Sequence, residues 1–139
     1  MIDELFGAVR DGVGKLAISV GDGAREKSLE LIEDWMKIFP QLREYGLEIT
    51  SFSMALALSP SLNVELLGRH EDWDDEAIAQ RLRAHKGETA ITMVFTTIRT
   101  AYRLQRQTKA DLRDPLILKV IVKVPPEVRV VLGQPLLED

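Results

Sequence analysis

Two stretches of the chain, 65 positions apart, share a pattern of apolar and polar residues around a proline. Residues 51–68 read SFSMALALSPSLNVELLG, and residues 116–133 read LILKVIVKVPPEVRVVLG. In this alignment Pro60 falls on Pro125, and both stretches end in leucine and glycine. Alternation with a period of two predicts strands, and a proline between two such runs predicts a turn. Each stretch is therefore predicted to form a β-hairpin.

The two hairpins differ in the strand face that lies opposite their large apolar side chains. In the first hairpin Phe52, Met54, Leu56 and Leu58 alternate with serine and alanine, so the second face is small and smooth. In the second hairpin the apolar positions from Leu116 to Val124 alternate partly with lysine. A face that carries lysine is typical of a partly solvated strand or of a protected sheet edge.

Residues with helical spacing precede the first hairpin. A helix is predicted over residues 24–39, with the apolar face Leu31, Ile32, Trp35, Met36 and Phe39. Pro40 should end or kink this helix nearby, with one more turn allowed before Gly46 caps its C-terminus.

Two further helices are predicted before the second hairpin. One runs from about Asp74, which can accept hydrogen bonds from the first-turn amides, to Lys86, and Gly87 closes it. Residues 88–108 contain threonines that suggest a strand, but their apolar residues fit an i, i+3, i+4, i+7 stripe, and we interpret the segment as a helix. The stripe consists of Ile91, Val94, Phe95, Ile98 and Tyr102.

The pattern predicts an α+β fold in a single domain, residues 1–139. Pseudo-duplicated helix-plus-β-hairpin units, 24–68 and 74–133, would form an antiparallel sheet of about four strands, with helices packed mainly on one face. Residues 1–20 have amphipathic helical spacing weakened by glycines and would dock on the core, on a partner or on a membrane, the core being favoured. Residues 134–139 are predicted to be a tail.

Composition excludes several kinds of chemistry. The chain of 139 residues contains no cysteine, which excludes disulfides, thiolate catalysis and cysteine-ligated metals. Neither a signal peptide nor a transmembrane span is predicted, so a cytoplasmic location is expected, with attachment at a membrane surface as the alternative. The sequence contains neither a GxSxG motif nor a phosphate-binding glycine loop. No cofactor and no metal site is predicted.

Charge is unevenly distributed. Residues 1–76 carry a net charge of −9 and residues 77–139 a net charge of +5. This asymmetry is compatible with weak attraction between the two halves, which we favour, with head-to-tail self-association or with an anionic partner.

One candidate site is predicted to bind an anionic group. Arg99, Arg103 and Arg106 fall on one side of the predicted helix, where they could meet phosphate, a lipid headgroup or the acidic half of a second copy. A solvated helix face explains them equally well. Nucleic acid is disfavoured as a partner, because the pI is about 5.3 and only 6% of the residues are aromatic.

These observations favour a non-catalytic binding or assembly domain that forms homo-oligomers through protein–protein contacts. The alternative is a small carrier or peripheral membrane protein that binds an apolar or lipid-like ligand, with Trp35, Phe39 and Phe95 lining the pocket. The usual role of such aromatic residues is in a hydrophobic core. An enzyme of unknown type is the third hypothesis.

Overall fold

The computed structural model describes residues 22–56 and 59–135. The elements in this part of the chain are α1 (Asp22–Glu44), β1 (Glu48–Ala55), β2 (Ser61–Gly68), a 3-10 helix (His70–Trp73), α2 (Asp75–Ala84), α3 (Thr89–Thr108), β3 (Leu116–Val122) and β4 (Glu127–Leu132). The predicted N-terminal helix over residues 1–20 and most of the predicted tail lie outside the described residues.

The four strands form one antiparallel sheet in the order β1-β2-β3-β4. Its inner face is buried along the two central strands, where alternate residues of β2 and β3 are opposed. The opposed residues are Leu62 with Val122, Val64 with Val120, and Leu66 with Leu118. Helix α1 contacts β2 and β3, and α3 contacts β4. The predicted α+β class and the antiparallel four-stranded sheet are confirmed.

The structure does not confirm the predicted duplication. The first hairpin follows one helix, whereas the second follows the 3-10 helix and two α-helices. The two stretches that align in sequence do form hairpins, β1 with β2 and β3 with β4. Similar hairpins arise wherever period-two apolar runs flank a turn, so the likeness in sequence does not require a common unit.

Helix α1 places its apolar face in the core and ends at a glycine. Trp35, Phe39 and Leu42 are fully or almost fully buried, while Pro40 lies exposed within the helix. The amide of Gly46 donates to the Arg43 carbonyl at 3.1 Å, and the amide of Leu47 donates to the Leu42 carbonyl at 3.2 Å. Since the φ angle of Gly46 is +95°, this is the glycine cap that the sequence predicts.

Helix α2 begins as its sequence predicts. The Asp74 carboxylate accepts a hydrogen bond from the Ala77 amide at 2.8 Å, which satisfies one free donor of the first turn. Trp73, before the cap, and Ile78, in the first turn, are both buried in the core. The 3-10 helix therefore brings an indole ring into the core immediately before the chain turns into α2.

The segment from Thr89 to Thr108 is a helix. The apolar stripe predicted this correctly, whereas the threonines suggested a strand. Its stripe residues are all buried. Two threonine hydroxyls bond back to the preceding turn, Thr97 to the Met93 carbonyl at 2.7 Å and Thr100 to the Thr96 carbonyl at 2.8 Å. Back-bonding of this kind lets threonine occupy a helix without leaving its hydroxyl unsatisfied.

Two strand ends differ from the predicted pattern. The second hairpin was expected to keep Val124 on the inner face, but β3 ends at Val122 and Val124 is 56% exposed. In the first hairpin, Leu56 lies beyond the end of β1 and is 43% exposed. Both residues follow the last paired position of their strands, so alternation no longer fixes the side to which they point.

Replacing Gly46 with alanine should lower the free energy of unfolding by about 2 kcal/mol. The left-handed backbone would be strained, and the new Cβ would lie 3.0 Å from Asp72 Oδ2. Gly87→Ala is the matched control, because Gly87 has a φ of +90° but its Cβ would meet no atom within 4 Å. We expect the control to lose about 1 kcal/mol. Urea unfolding measures both, and equal losses would show that the Asp72 contact has no effect.

Candidate functional site

A cavity of about 650 Å³ lies at the end of the sheet where β1 begins and β2 ends. Its walls combine apolar side chains, Leu67 and Leu112, with the acidic residues Glu48, Glu71 and Asp114. Both leucines are exposed, and Leu112 lies in the segment that joins α3 to β3. Arg69 also lines it, with its Nη1 atom 3.1 Å from Glu71 Oε1, so the cavity is a mixed apolar and charged surface with one histidine in its wall.

That histidine, His70, is held on both ring nitrogens. Its Nε2 lies 2.6 Å from the Arg113 carbonyl, and because a carbonyl can only accept, Nε2 carries the proton and donates it. Its Nδ1 lies 2.8 Å from the Tyr102 hydroxyl, which donates to it when the ring is neutral. Burial, and secondarily the nearby charge of Asp114, raises the pKa of Tyr102, so this hydroxyl keeps its proton. His70 joins the 3-10 helix to α3 and to the segment before β3.

The second histidine forms a similar contact at the other end of α3. His85 Nδ1 donates to the Glu88 carboxylate at 2.6 Å, and its Nε2 accepts from the Tyr45 hydroxyl at 2.8 Å. A carboxylate, an imidazole and a hydroxyl in this order can activate the hydroxyl as a nucleophile. Here, however, the Tyr45 ring packs on Phe95 with 5.6 Å between centroids, and the three groups join the ends of α1, α2 and α3. We interpret this series of three hydrogen-bonded side chains as a connection between helices.

Arg81 places a cation between two aromatic rings of the same region. Its guanidinium carbon lies 4.6 Å from the centroid of Tyr45 and 4.3 Å from that of Trp73. Burial lowers the pKa of Arg81, and the opposing charges of nearby acidic groups reduce that effect. The ring faces stabilise the cation, since the electron-rich face of an aromatic ring attracts positive charge.

The predicted anion site lies on one flank of α3. Arg99 is half-buried, while Arg103 and Arg106 are exposed. Arg106 Nη2 lies 3.4 Å from Asp75 Oδ1 at the start of α2, so this arginine has an acidic partner within the chain. The predicted binding of an anionic group by these residues stays a prediction.

The three aromatic residues of the predicted apolar pocket lie in the core. Trp35, Phe39 and Phe95 are all buried among the residues that cover the sheet. Trp35 also forms part of a groove of about 540 Å³ between α1 and α3, together with Ile38 and Met93. The Nε1 atom of Trp35 is buried and has no hydrogen-bond partner among the described residues. Phe39 and Phe95 are not among the lining residues of this groove.

A further surface, which local sequence patterns do not indicate, lies between α3 and β4. A groove of about 290 Å³ is lined there by Thr96, Thr97, Thr100, Ala101, Leu104 and Val130. Two of these threonines also line a neighbouring groove of about 410 Å³ that continues towards the start of α3. Leu104 is 54% exposed. The spacing of Thr97, Ala101 and Leu104 indicates one helix flank, but such small or isolated residues give no chemical signal in a sequence.

The described residues include no group of three or more His, Cys, Asp or Glu side chains arranged to hold a metal ion. His70 and His85, which the sequence places near each other, are bound to different tyrosines at different ends of α3. They do not form one site.

The raised pKa of Tyr102 leads to a testable dependence of stability on pH. An unfolded tyrosine ionises at about pH 10, whereas buried Tyr102 remains protonated at higher pH. Its stabilising effect is therefore complete below about pH 10 and is lost as the pH rises further, by at most about 1.4 kcal/mol per pH unit. Tyr102→Phe should remove this component, which urea unfolding at neutral and alkaline pH would measure. The same alkaline slope in both proteins would contradict it.

Within residues 22–56 and 59–135, no helix is long and apolar enough to cross a membrane. No protein family model, curated protein or solved structure matches this chain. Its function must therefore be inferred from its own geometry.

Proposed function

We propose that this chain is a non-catalytic assembly domain that acts through protein–protein contacts and associates with further copies of itself. The observation that supports this most directly is the groove between α3 and β4. There the sheet's inner face continues beyond the part that the helices bury, and Leu104 and Val130 line the opening.

Inner side chains are less buried on the outer strand β4 than on the central strand β3, and this difference shows where apolar surface stays exposed. On β3 the inner residues Leu118 and Val120 are completely buried. Their β4 partners, Val130 and Val128, are only half-buried, although they face the same side of the sheet. Removing apolar surface from water contributes roughly 25 cal/mol per Å². A protein surface that covered these residues would therefore gain stabilisation that one copy lacks.

The chemistry of the groove agrees with self-association. All its lining residues are uncharged, whereas the arginines of α3 lie on another flank of the helix. In a two-fold interface a surface meets its own copy, so a patch that carries charge of one sign approaches charge of the same sign. An uncharged flank removes this repulsion, and the arginine flank remains in solvent or beside α2.

The two histidines, the best candidates for general bases near neutral pH, also favour binding over catalysis. Both have both ring nitrogens bonded within the protein, His70 to Tyr102 and Arg113, and His85 to Tyr45 and Glu88. A base whose nitrogens already have partners must break a bond before it can accept a proton from a substrate.

Leu104→Glu should weaken self-association at least tenfold, because it places two like charges in an apolar interface. Leu112→Glu is the matched control: Leu112 is 45% exposed, similar to Leu104, but lies at the other cavity. Sedimentation over a wide concentration range would measure both variants and the unchanged protein. A strictly monomeric unchanged protein would refute self-association, and equal weakening by both variants would refute the α3–β4 surface.

A second candidate function, binding of an apolar small molecule, is favoured by the groove between α1 and α3. This groove has the volume of a ligand site, and Leu31, Trp35 and Met93 line it. Arg99 is six positions from Met93, and helical geometry therefore places it on a different flank of α3. Arg99 would therefore not contact the headgroup of a ligand bound in this groove.

Native mass spectrometry of gently purified protein tests the second candidate. Bound apolar ligand should appear as added mass, and Ala90→Trp, which fills the groove, should remove that mass. Thr108→Trp is the control, since Thr108 is exposed at the far end of the same helix. Protein without added mass, or added mass that Ala90→Trp leaves in place, would argue against this function.

A further inference from the structure

The hydrogen-bond pattern of β4 shows which of its backbone groups are directed outwards. In an antiparallel ladder, opposed residues alternate between pairs that exchange hydrogen bonds and pairs that do not. The amide of Gly133 donates to the carbonyl of Pro115 at 2.8 Å, one step beyond the pair of Leu132 with Leu116. Val131 and Arg129, two and four residues before Gly133, therefore bond to β3. The alternate residues of β4 direct their amide and carbonyl groups to its other edge: Val128, Val130 and Leu132.

That edge has no strand beside it in the described residues, because β4 is the last strand of the sheet. The opposite outer strand, β1, is also at an edge but is irregular. Its register shifts between Ile49 and Ser51, and the Thr50 hydroxyl lies 3.0 Å from a carboxylate oxygen of Glu65 on the neighbouring strand. Bulges disturb edge pairing, whereas β4 has no register shift and is rich in valine.

We propose that β4 pairs antiparallel with β4 of a second copy, with Val130 on the two-fold axis, so that the two sheets become one. This inference rests on the proposed self-association and specifies its partner and geometry. In this register Val130 faces Val130, and Val128 faces Leu132 of the second copy. The two-fold axis repeats the pair of Val128 with Leu132, so three pairs of residues with outward backbone groups face each other. Each pair can exchange two hydrogen bonds.

Of the two registers shifted by two residues, the one centred on Arg129 is less favourable than the proposed one. It would place Arg129 directly opposite Arg129, where like charges repel. It would also bring Pro126, which has no amide hydrogen, opposite Leu132. In the proposed register Arg129 faces Val131 of the second copy, and the outer face of the joined sheet has no directly opposed like charges.

Charge also favours a second copy over another partner. The residues brought together, the inner side chains of β4 and the groove side of α3, are uncharged. A patch without charge can meet its own copy without repulsion, whereas it gives a charged partner nothing to pair with. The footprint is adequate: six residues of β4 extend about 20 Å, and with the α3 layer above them bury on the order of 1,000 Å² in total.

Cysteine cross-linking tests the register, because the natural chain has no cysteine. Arg129 and Val131 of different copies would form a pair without mutual hydrogen bonds, about 4.5 Å between Cα atoms, which a disulfide can span. Mixing Arg129→Cys protein with Val131→Cys protein under oxidising conditions should therefore give a mixed dimer at least tenfold faster than either variant alone. Circular dichroism and sedimentation of the reduced variants show that each remains folded and self-associates.

The outer edge β1 supplies the control. Ser51→Cys and Ser53→Cys are also exposed and two residues apart on one face, and their mixture should cross-link no faster than unfolded protein. Faster cross-linking of Arg129→Cys alone would overturn the proposed register. A dimer by sedimentation that cross-links through β1, or through neither strand, would overturn the β4 interface and leave self-association intact. A monomer by sedimentation would overturn both.

Discussion

The covering of one sheet face by two helices is the constraint on which the rest of this structure depends. Four strands spaced about 4.8 Å apart are roughly as wide as two helices packed side by side. Helix α1 contacts the two central strands, and α3 contacts β4 while packing against α1 and α2. The central strands are therefore fully covered, whereas the inner residues of the outer strands are half-buried. The apolar surface that stays partly exposed lies at the rim of this arrangement.

The helices keep these positions because polar contacts join their ends around a common aromatic residue. Tyr45, Trp73 and His85 all lie within 6 Å of the Phe95 ring centroid. The chain has only two histidines and two tyrosines, and each histidine is bonded to one of the tyrosines. These titratable groups therefore hold elements together at both ends of α3. The recognition that we propose uses apolar side chains and the backbone of β4.

Local sequence was sufficient to predict the α-helices and hairpins of the described residues, but not every strand end and not the contacts between elements. Period-two runs predicted both hairpins, and Gly46 and Asp74 marked helix ends because caps require particular side chains or backbone angles. The tyrosine–histidine pairs could not be predicted, since their partners are 32 and 40 positions apart and no local pattern relates them. Spacing on α3 drew attention to its arginines, whereas Thr97 and Ala101 on another flank are small and carry no recognisable chemistry. The fold places Val130 beside that flank, and only this contact between distant segments identifies the groove.

The two edges of the sheet together determine how far an assembly through β4 can grow. A subunit with two open edges could add copies indefinitely, because each new copy would present another edge. Here β1 is interrupted by its register shift, while β4 is regular and lies between Pro126 and Pro135. The prolines lack amide hydrogens and limit pairing to the strand itself. When two copies pair through β4 about a two-fold axis, the regular edge of each copy is occupied. The association that we propose therefore stops at two copies.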